Sequence, residues 1–107
     1  MIGSDAAPPM RGPNSFSDRA GSDGILAMGW GSGTTNFTYL ISPIKAIQAR
    51  ARKDGTAIDW HFNDFNLADA RNVMLGTDAA LVFIKADFGE EYLVVDGNVW
   101  DRILPFV

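Results

Sequence analysis

The first 33 residues hold 7 of the chain's 11 glycines and 3 of its 5 prolines, and this punctuation constrains the fold more than any other feature. Ala6-Ala7-Pro8-Pro9 and Arg11-Gly12-Pro13-Asn14 can continue neither a helix nor a central strand. The stretch reads as an irregular loop. A loop of this length in a small domain is either functional or dependent on structure around it. Met1 to Ser4 reads as the last residues of a strand whose start has been cut away. The 107 residues suffice for one domain or a piece of one. They cannot form a barrel of alternating strands and helices, which needs about 250 residues.

Beyond the loop the pattern becomes regular. Ser42-Pro43-Ile44 opens a helix: Ser42 is placed to cap the free amides, and Pro43 suits the first helical position. Ile44, Ile47 and Ala51 form one apolar stripe. Arg50, Arg52 and Lys53 crowd the last turn, where the helix dipole favours positive charge, and Gly55 supplies the stop. Thr56 to Phe62 alternates, with Ile58, Trp60 and Phe62 on one face and Ala57, Asp59 and His61 on a wetter one. Asn63 to Asn66 turns the chain into a short helix from Leu67 to Leu75, closed by Gly76. Ala79 to Ile84 is a continuous apolar run, as expected of a strand buried on both faces of a parallel sheet. The order strand, loop, helix, strand, helix, strand predicts an α/β fold. It would be a partial layered sandwich with a mostly parallel sheet and right-handed crossovers, in an incomplete domain. Residues 1–41 form the strand end and loop, 42–86 the helix-strand-helix-strand unit, and 87–107 an acidic loop and tail.

Charge and composition narrow the chemistry. A net charge of −4 argues against nucleic acid and anionic membranes as partners. Cysteine is absent, which removes disulfides, thiol catalysis and thiolate-bound metals. The single histidine, His61, would have to support any zinc site or Ser–His pair alone, and it reads most simply as a polar-face strand residue. No metal or cofactor is implied. No apolar stretch approaches the 18 residues of a membrane span, and the start carries no signal peptide.

Sites in open α/β sheets gather beyond the carboxyl ends of strands, which directs attention to the loop after Ile84. Asp87, Glu90, Glu91, Asp96 and Asp101 place five carboxylates within fifteen residues. Crowded carboxylates raise one another's pKa and can hold a proton for general acid work; the alternative is a solvated acidic loop. Asp96-Gly97-Asn98 is not a calcium loop, because Asp101 and Val107 stand where the pattern needs Gly and Glu. Gly29-Trp30-Gly31-Ser32-Gly33-Thr34 lacks the third glycine and the immediate helix of a dinucleotide fingerprint. It reads instead as a tight loop with Trp30 at its tip, able to pack on a neighbour or face a sugar ring. Asn36-Phe37-Thr38 is an N-glycosylation sequon, meaningful only in a secreted chain.

Taken in order, several segments resemble one family. They are Ile2-Gly3-Ser4-Asp5-Ala6, Gly21-Ser22-Asp23-Gly24-Ile25-Leu26-Ala27-Met28-Gly29-Trp30-Gly31-Ser32-Gly33-Thr34, Asn36-Phe37-Thr38-Tyr39-Leu40-Ile41-Ser42-Pro43, Ala46-Ile47, Leu81-Val82-Phe83-Ile84 and Asp87-Phe88-Gly89-Glu90-Glu91-Tyr92. Val95-Asp96-Gly97-Asn98 and Asp101-Arg102 complete the set. Together they resemble the fungal β-glucosidases of glycoside hydrolase family 3, over nearly the whole chain to Arg102. The resemblance implies the first half of that family's C-terminal α/β sandwich domain. A barrel domain would precede it and supply the nucleophilic aspartate, so the chain alone would be inactive. The family's Ser-Gly-Glu-Gly-Tyr segment falls on Phe88 to Tyr92. Glu90 thus corresponds to the general acid/base, and Tyr92 to the aromatic lining the leaving-group site. The implied substrates are β-glucosides and cello-oligosaccharides, and the implied location of the full protein is extracellular. Glu91 and Trp100 each replace a glycine of the family, and Ile103 to Val107 departs from it, as a truncated product or gene model would. Ile58-Asp59-Trp60 imitates the family's nucleophile motif but lies between the two helices, in an alternating strand. Two other readings stay open: a non-catalytic remnant that binds sugar or a partner through Trp30 and Tyr92, and a stand-alone small α/β domain.

Overall fold

The computed structural model describes residues 1–14, 23–27 and 35–85. Its centre is Ile2, almost wholly buried and bridged in parallel to both His61 and Val82. The Ile2 amide donates to the Leu81 carbonyl (2.9 Å), and the Phe83 amide returns a bond to the Ile2 carbonyl (2.8 Å). On the other side the Gly3 amide reaches the His61 carbonyl (3.0 Å), and the His61 amide reaches the Met1 carbonyl (2.9 Å). The first segment thus lies between the other two, which leaves its backbone groups paired on both sides. At the outer segment's end the Met1 ammonium donates to the Asp59 carbonyl (2.6 Å). Burial there lowers its pKa, and the nearby Asp59 charge offsets part of that effect.

Gly3 makes the close pairing possible. Its φ is 102°, and a Cβ at this position would collide with the Phe83 carbonyl. The chain then makes a 3₁₀ turn at Ser4–Ala6. This turn is fixed from 60 residues away, where the Asp64 carboxylate accepts from both the Ser4 amide and hydroxyl at 2.6 Å.

Helix α1 spans Pro43–Asp54 and packs on the Ser4–Ala6 turn, burying Ile44 and Ala51 of the expected stripe, with Ile47 partly buried. Gly55 ends it in the left-handed conformation. The capping role read for Ser42 is not realised. Its side chain makes no cap hydrogen bond; it is fully buried, and its hydroxyl oxygen has no partner among the described residues. Burial holds the hydroxyl away from the second and third helical amides that a cap would satisfy. Helix α2 spans Leu67–Met74 and buries Ala70. Asn66 caps it, accepting from the Asp69 amide (3.2 Å) while donating to the Asp69 carboxylate (2.7 Å). The spacing Asn66-x-x-Asp69 brings the third helical amide and its carboxylate within reach of the cap side chain.

The apolar faces depart furthest from expectation. Leu81, Val82 and Ile84 are 46%, 52% and 48% exposed, where the continuous run predicts burial on both faces. Trp60, on the face expected to be drier, is 49% exposed, although it stacks on Phe62 with centroids 6.3 Å apart. Among the described residues no element is laid over these side chains, and a sheet face is buried only by what packs on it.

Candidate active site

The parallel bridges fix where a site can form. Both the Ile2 and the Val82 segments leave the sheet at the same, carboxyl edge. Spatially the first segment lies between the second and the third, held to each by an isolated parallel bridge, so the order of the segments reverses beside Ile2. In an open α/β sheet, a reversal of strand order is where ligands bind. The Gly3 and Phe83 backbones touch there, so the loops that follow them start side by side.

The loop after Gly3 is tied into a platform by its own carboxylates. The Asp5 carboxylate accepts from the Leu26 amide (2.7 Å), and the Ala7 carbonyl accepts from the Ile25 amide (2.8 Å). The Asp23 carboxylate accepts from the Met10 amide at 3.0 and 3.2 Å. Asn14 pairs with Phe37 as a strand would, donating to its carbonyl (2.9 Å) and accepting from its amide (2.6 Å). Asp and Asn in glycine-rich loops commonly bond to backbone nearby. Here they hold backbone 13 to 23 residues away, and only the residue types were visible in the sequence.

Lys85 extends from the third segment to this platform. Its ammonium is partly buried and donates to the Gly24 carbonyl. Gly24 itself is buried, with φ 80°, and a Cβ would lie 2.6 Å from the Pro8–Pro9 peptide. The backbone of one loop is thereby connected to the stem of the next.

Of the residues singled out in the sequence, Glu90, Tyr92 and Trp30 lie outside the described residues, as does the carboxylate cluster from Asp87 to Asp101. Asn36 is exposed beside the Asn14–Phe37 pair. Asp59 is exposed on the far segment, where it borders an open cleft with Trp60, Asn72, Val73 and Leu75. His61 has a buried Nε2 without a partner among the described residues. No helix among the described residues is long and apolar enough to cross a membrane.

Comparison with known proteins gives this geometry a context. The pattern of the glycosyl hydrolase family 3 C-terminal domain matches residues 1–103. An Aspergillus fumigatus protein named "Probable beta-glucosidase L" is 48% identical over 102 residues, covering 95% of this chain and 14% of its own length. The Pyricularia oryzae beta-glucosidase cel3A is 45% identical over 103 residues, covering 96% and 14%. Among solved structures, the Chaetomium thermophilum beta-glucosidase superposes with a TM-score of 0.76 at 48% identity, covering 94% of this chain and 12% of that one. The chain therefore spans about 14% of the length of the two sequence relatives.

Proposed function

The chain belongs to glycosyl hydrolase family 3, within its C-terminal domain, and on that premise we propose that it carries the general acid/base of a retaining β-glucosidase. The full protein would release terminal non-reducing β-D-glucosyl units from β-glucosides and cello-oligosaccharides. Residues 1–107 would be part of an α/β sandwich domain with a mostly parallel sheet, completed by further strands and by a barrel domain bearing the nucleophilic aspartate. The observation that carries the reading is the extent of the family match, which runs through Phe88-Gly89-Glu90-Glu91-Tyr92. The emergence of that segment's stem at the reversal of strand order supports it.

In this mechanism Glu90 acts twice. It first gives its proton to the glycosidic oxygen as the barrel aspartate attacks the anomeric carbon. The glycosidic bond breaks and a covalent glucosyl-enzyme forms. Glu90, now ionised, then takes a proton from the water that hydrolyses that intermediate. Two carboxyls about 5–5.5 Å apart are needed for this sequence. Tyr92 would line the leaving-group site, Trp30 would face a sugar ring, and Asn36 would carry a glycan on a secreted protein.

The test is a graft of residues 1–103 into the matched positions of the Chaetomium thermophilum enzyme. Glu90→Gln should lower hydrolysis of substrates with poor leaving groups by roughly 10²–10⁴-fold, the usual worth of general acid–base catalysis. In kcat/KM, which reports the first step, very good leaving groups should suffer much less. Glu91→Gly should preserve or raise activity, and Asp59→Asn should leave the leaving-group dependence unchanged. A graft that folds without hydrolysing β-glucosides, or an acid-loss pattern in Asp59→Asn and not in Glu90→Gln, overturns the reading.

A further inference from the structure

We infer that Lys85 is a positioning residue for the acid/base loop, holding its stem against the platform formed by residues 5–10 and 23–26. The inference rests on the assignment of Glu90 above. Its physical basis is a chain of fixed points. The Phe83 amide is bound to the Ile2 carbonyl, which fixes the main chain two residues before Lys85. The Lys85 side chain then runs to the Gly24 carbonyl.

That carbonyl is held in place from several directions. Asp5 and Ala7 hold the amides of Leu26 and Ile25, and Asp23 holds the amide of Met10. Gly24 is wedged against the Pro8–Pro9 peptide with no space for a side chain. A lysine left in solvent samples many rotamers, and immobilising one is entropically costly. Here its partly buried ammonium makes a charge-assisted bond to a backbone oxygen, a stronger bond than one between neutral groups. Side-chain and main-chain anchors together fix the direction in which the chain leaves the sheet at residue 85. Glu90 follows five residues later. Small misplacements of a catalytic group are costly in rate, so control of this exit should appear in the acid-catalysed step.

The experiment uses the same full-length graft. Lys85→Met keeps the alkyl stem and removes all three donors; Lys85→Arg keeps charge and donors. For poor leaving groups, Lys85→Met should lower kcat/KM roughly tenfold, a fraction of what loss of the acid itself costs. For very good leaving groups it should change kcat/KM less than about twofold, and Lys85→Arg should restore most of the loss. In a Glu90→Gln background, Lys85→Met should add almost nothing, because two residues acting through one step are not additive. Equal slowing of all substrates, full additivity with Glu90→Gln, or no recovery in Lys85→Arg would each overturn the inference while leaving Glu90 intact. Failure of Glu90→Gln to show acid loss overturns the underlying assignment instead. Where Lys85→Met lowers the melting temperature enough to obscure the kinetics, Lys85→Gln, which retains a donor at shorter reach, is read in its place.

Discussion

Two single positions show how little freedom this chain has where its segments converge. Gly3 adopts a φ of 102°, which residues with a Cβ rarely accept, and it does so against the Phe83 carbonyl. An alanine there would face both a forbidden backbone region and a collision with main chain, which unlike a side chain cannot rotate away. Gly3→Ala should therefore cost roughly 3 kcal/mol or more, at the upper end of single substitutions. Comparative unfolding of the full-length graft and its variant measures this; a change in the sandwich transition equivalent to less than about 1 kcal/mol would mean that the segments do not approach as closely as described. Asp64 is a different kind of constraint. Its carboxylate satisfies both the amide and the hydroxyl of Ser4. Sequence alone marked Asp64 only as a turn residue, since nothing local identifies a partner 60 positions away.

The helices separate what local chemistry determines from what packing determines. Pro43 and Gly55 bound α1 as their backbone preferences require, and such signals are legible because they act within a few residues. Ser42 is the instructive failure. Its residue type suits a cap, but tertiary packing has buried it with its hydroxyl unpartnered among the described residues. Asn66, by contrast, is only partly buried and forms the cap that its spacing to Asp69 permits. The two helices should respond oppositely to the same change. Asn66→Ala should cost about 1 kcal/mol of helix stability, the common value for a lost cap. Ser42→Ala should be neutral or stabilising, because it removes a buried polar atom that has no hydrogen bond. Hydrogen exchange of the two helix starts in the full-length graft reads both. Faster exchange in α1 after Ser42→Ala would show that the hydroxyl caps after all. The same division governs the site. The acid/base reading depends on likeness across an ordered set of segments, whereas the carboxylate cluster alone reads more simply as a solvated loop.

At the scale of the whole chain, the balance of buried and exposed apolar surface is unusual. Among the described residues only Ile2 and Ile44 are large, apolar and buried; the other buried apolar residues are alanines. Leu81, Val82 and Ile84 remain about half exposed, and Tyr39, Ile41, Phe65 and Leu75 more so. The Ile2 segment pairs with one edge of the Leu81–Phe83 backbone, leaving the amides of Val82 and Ile84 without backbone partners among the described residues. An apolar strand with an open edge is a template for pairing with another chain. The 107-residue polypeptide expressed alone should therefore self-associate and bind a hydrophobic dye. It should not turn over an activated aryl β-glucoside, because one carboxyl cannot form and resolve a glucosyl-enzyme. Carried within the full-length graft, residues 81–84 should exchange their amide hydrogens slowly, and in the isolated polypeptide quickly. The cause can be tested with one substitution. Val82→Lys sets a charge on the open strand, a device that discourages edge pairing, and should shift the isolated polypeptide towards monomer in analytical ultracentrifugation. A wild-type polypeptide that sediments as a single monomer and melts sharply would contradict the open edge; association unaffected by Val82→Lys would locate it on another of the exposed apolar surfaces.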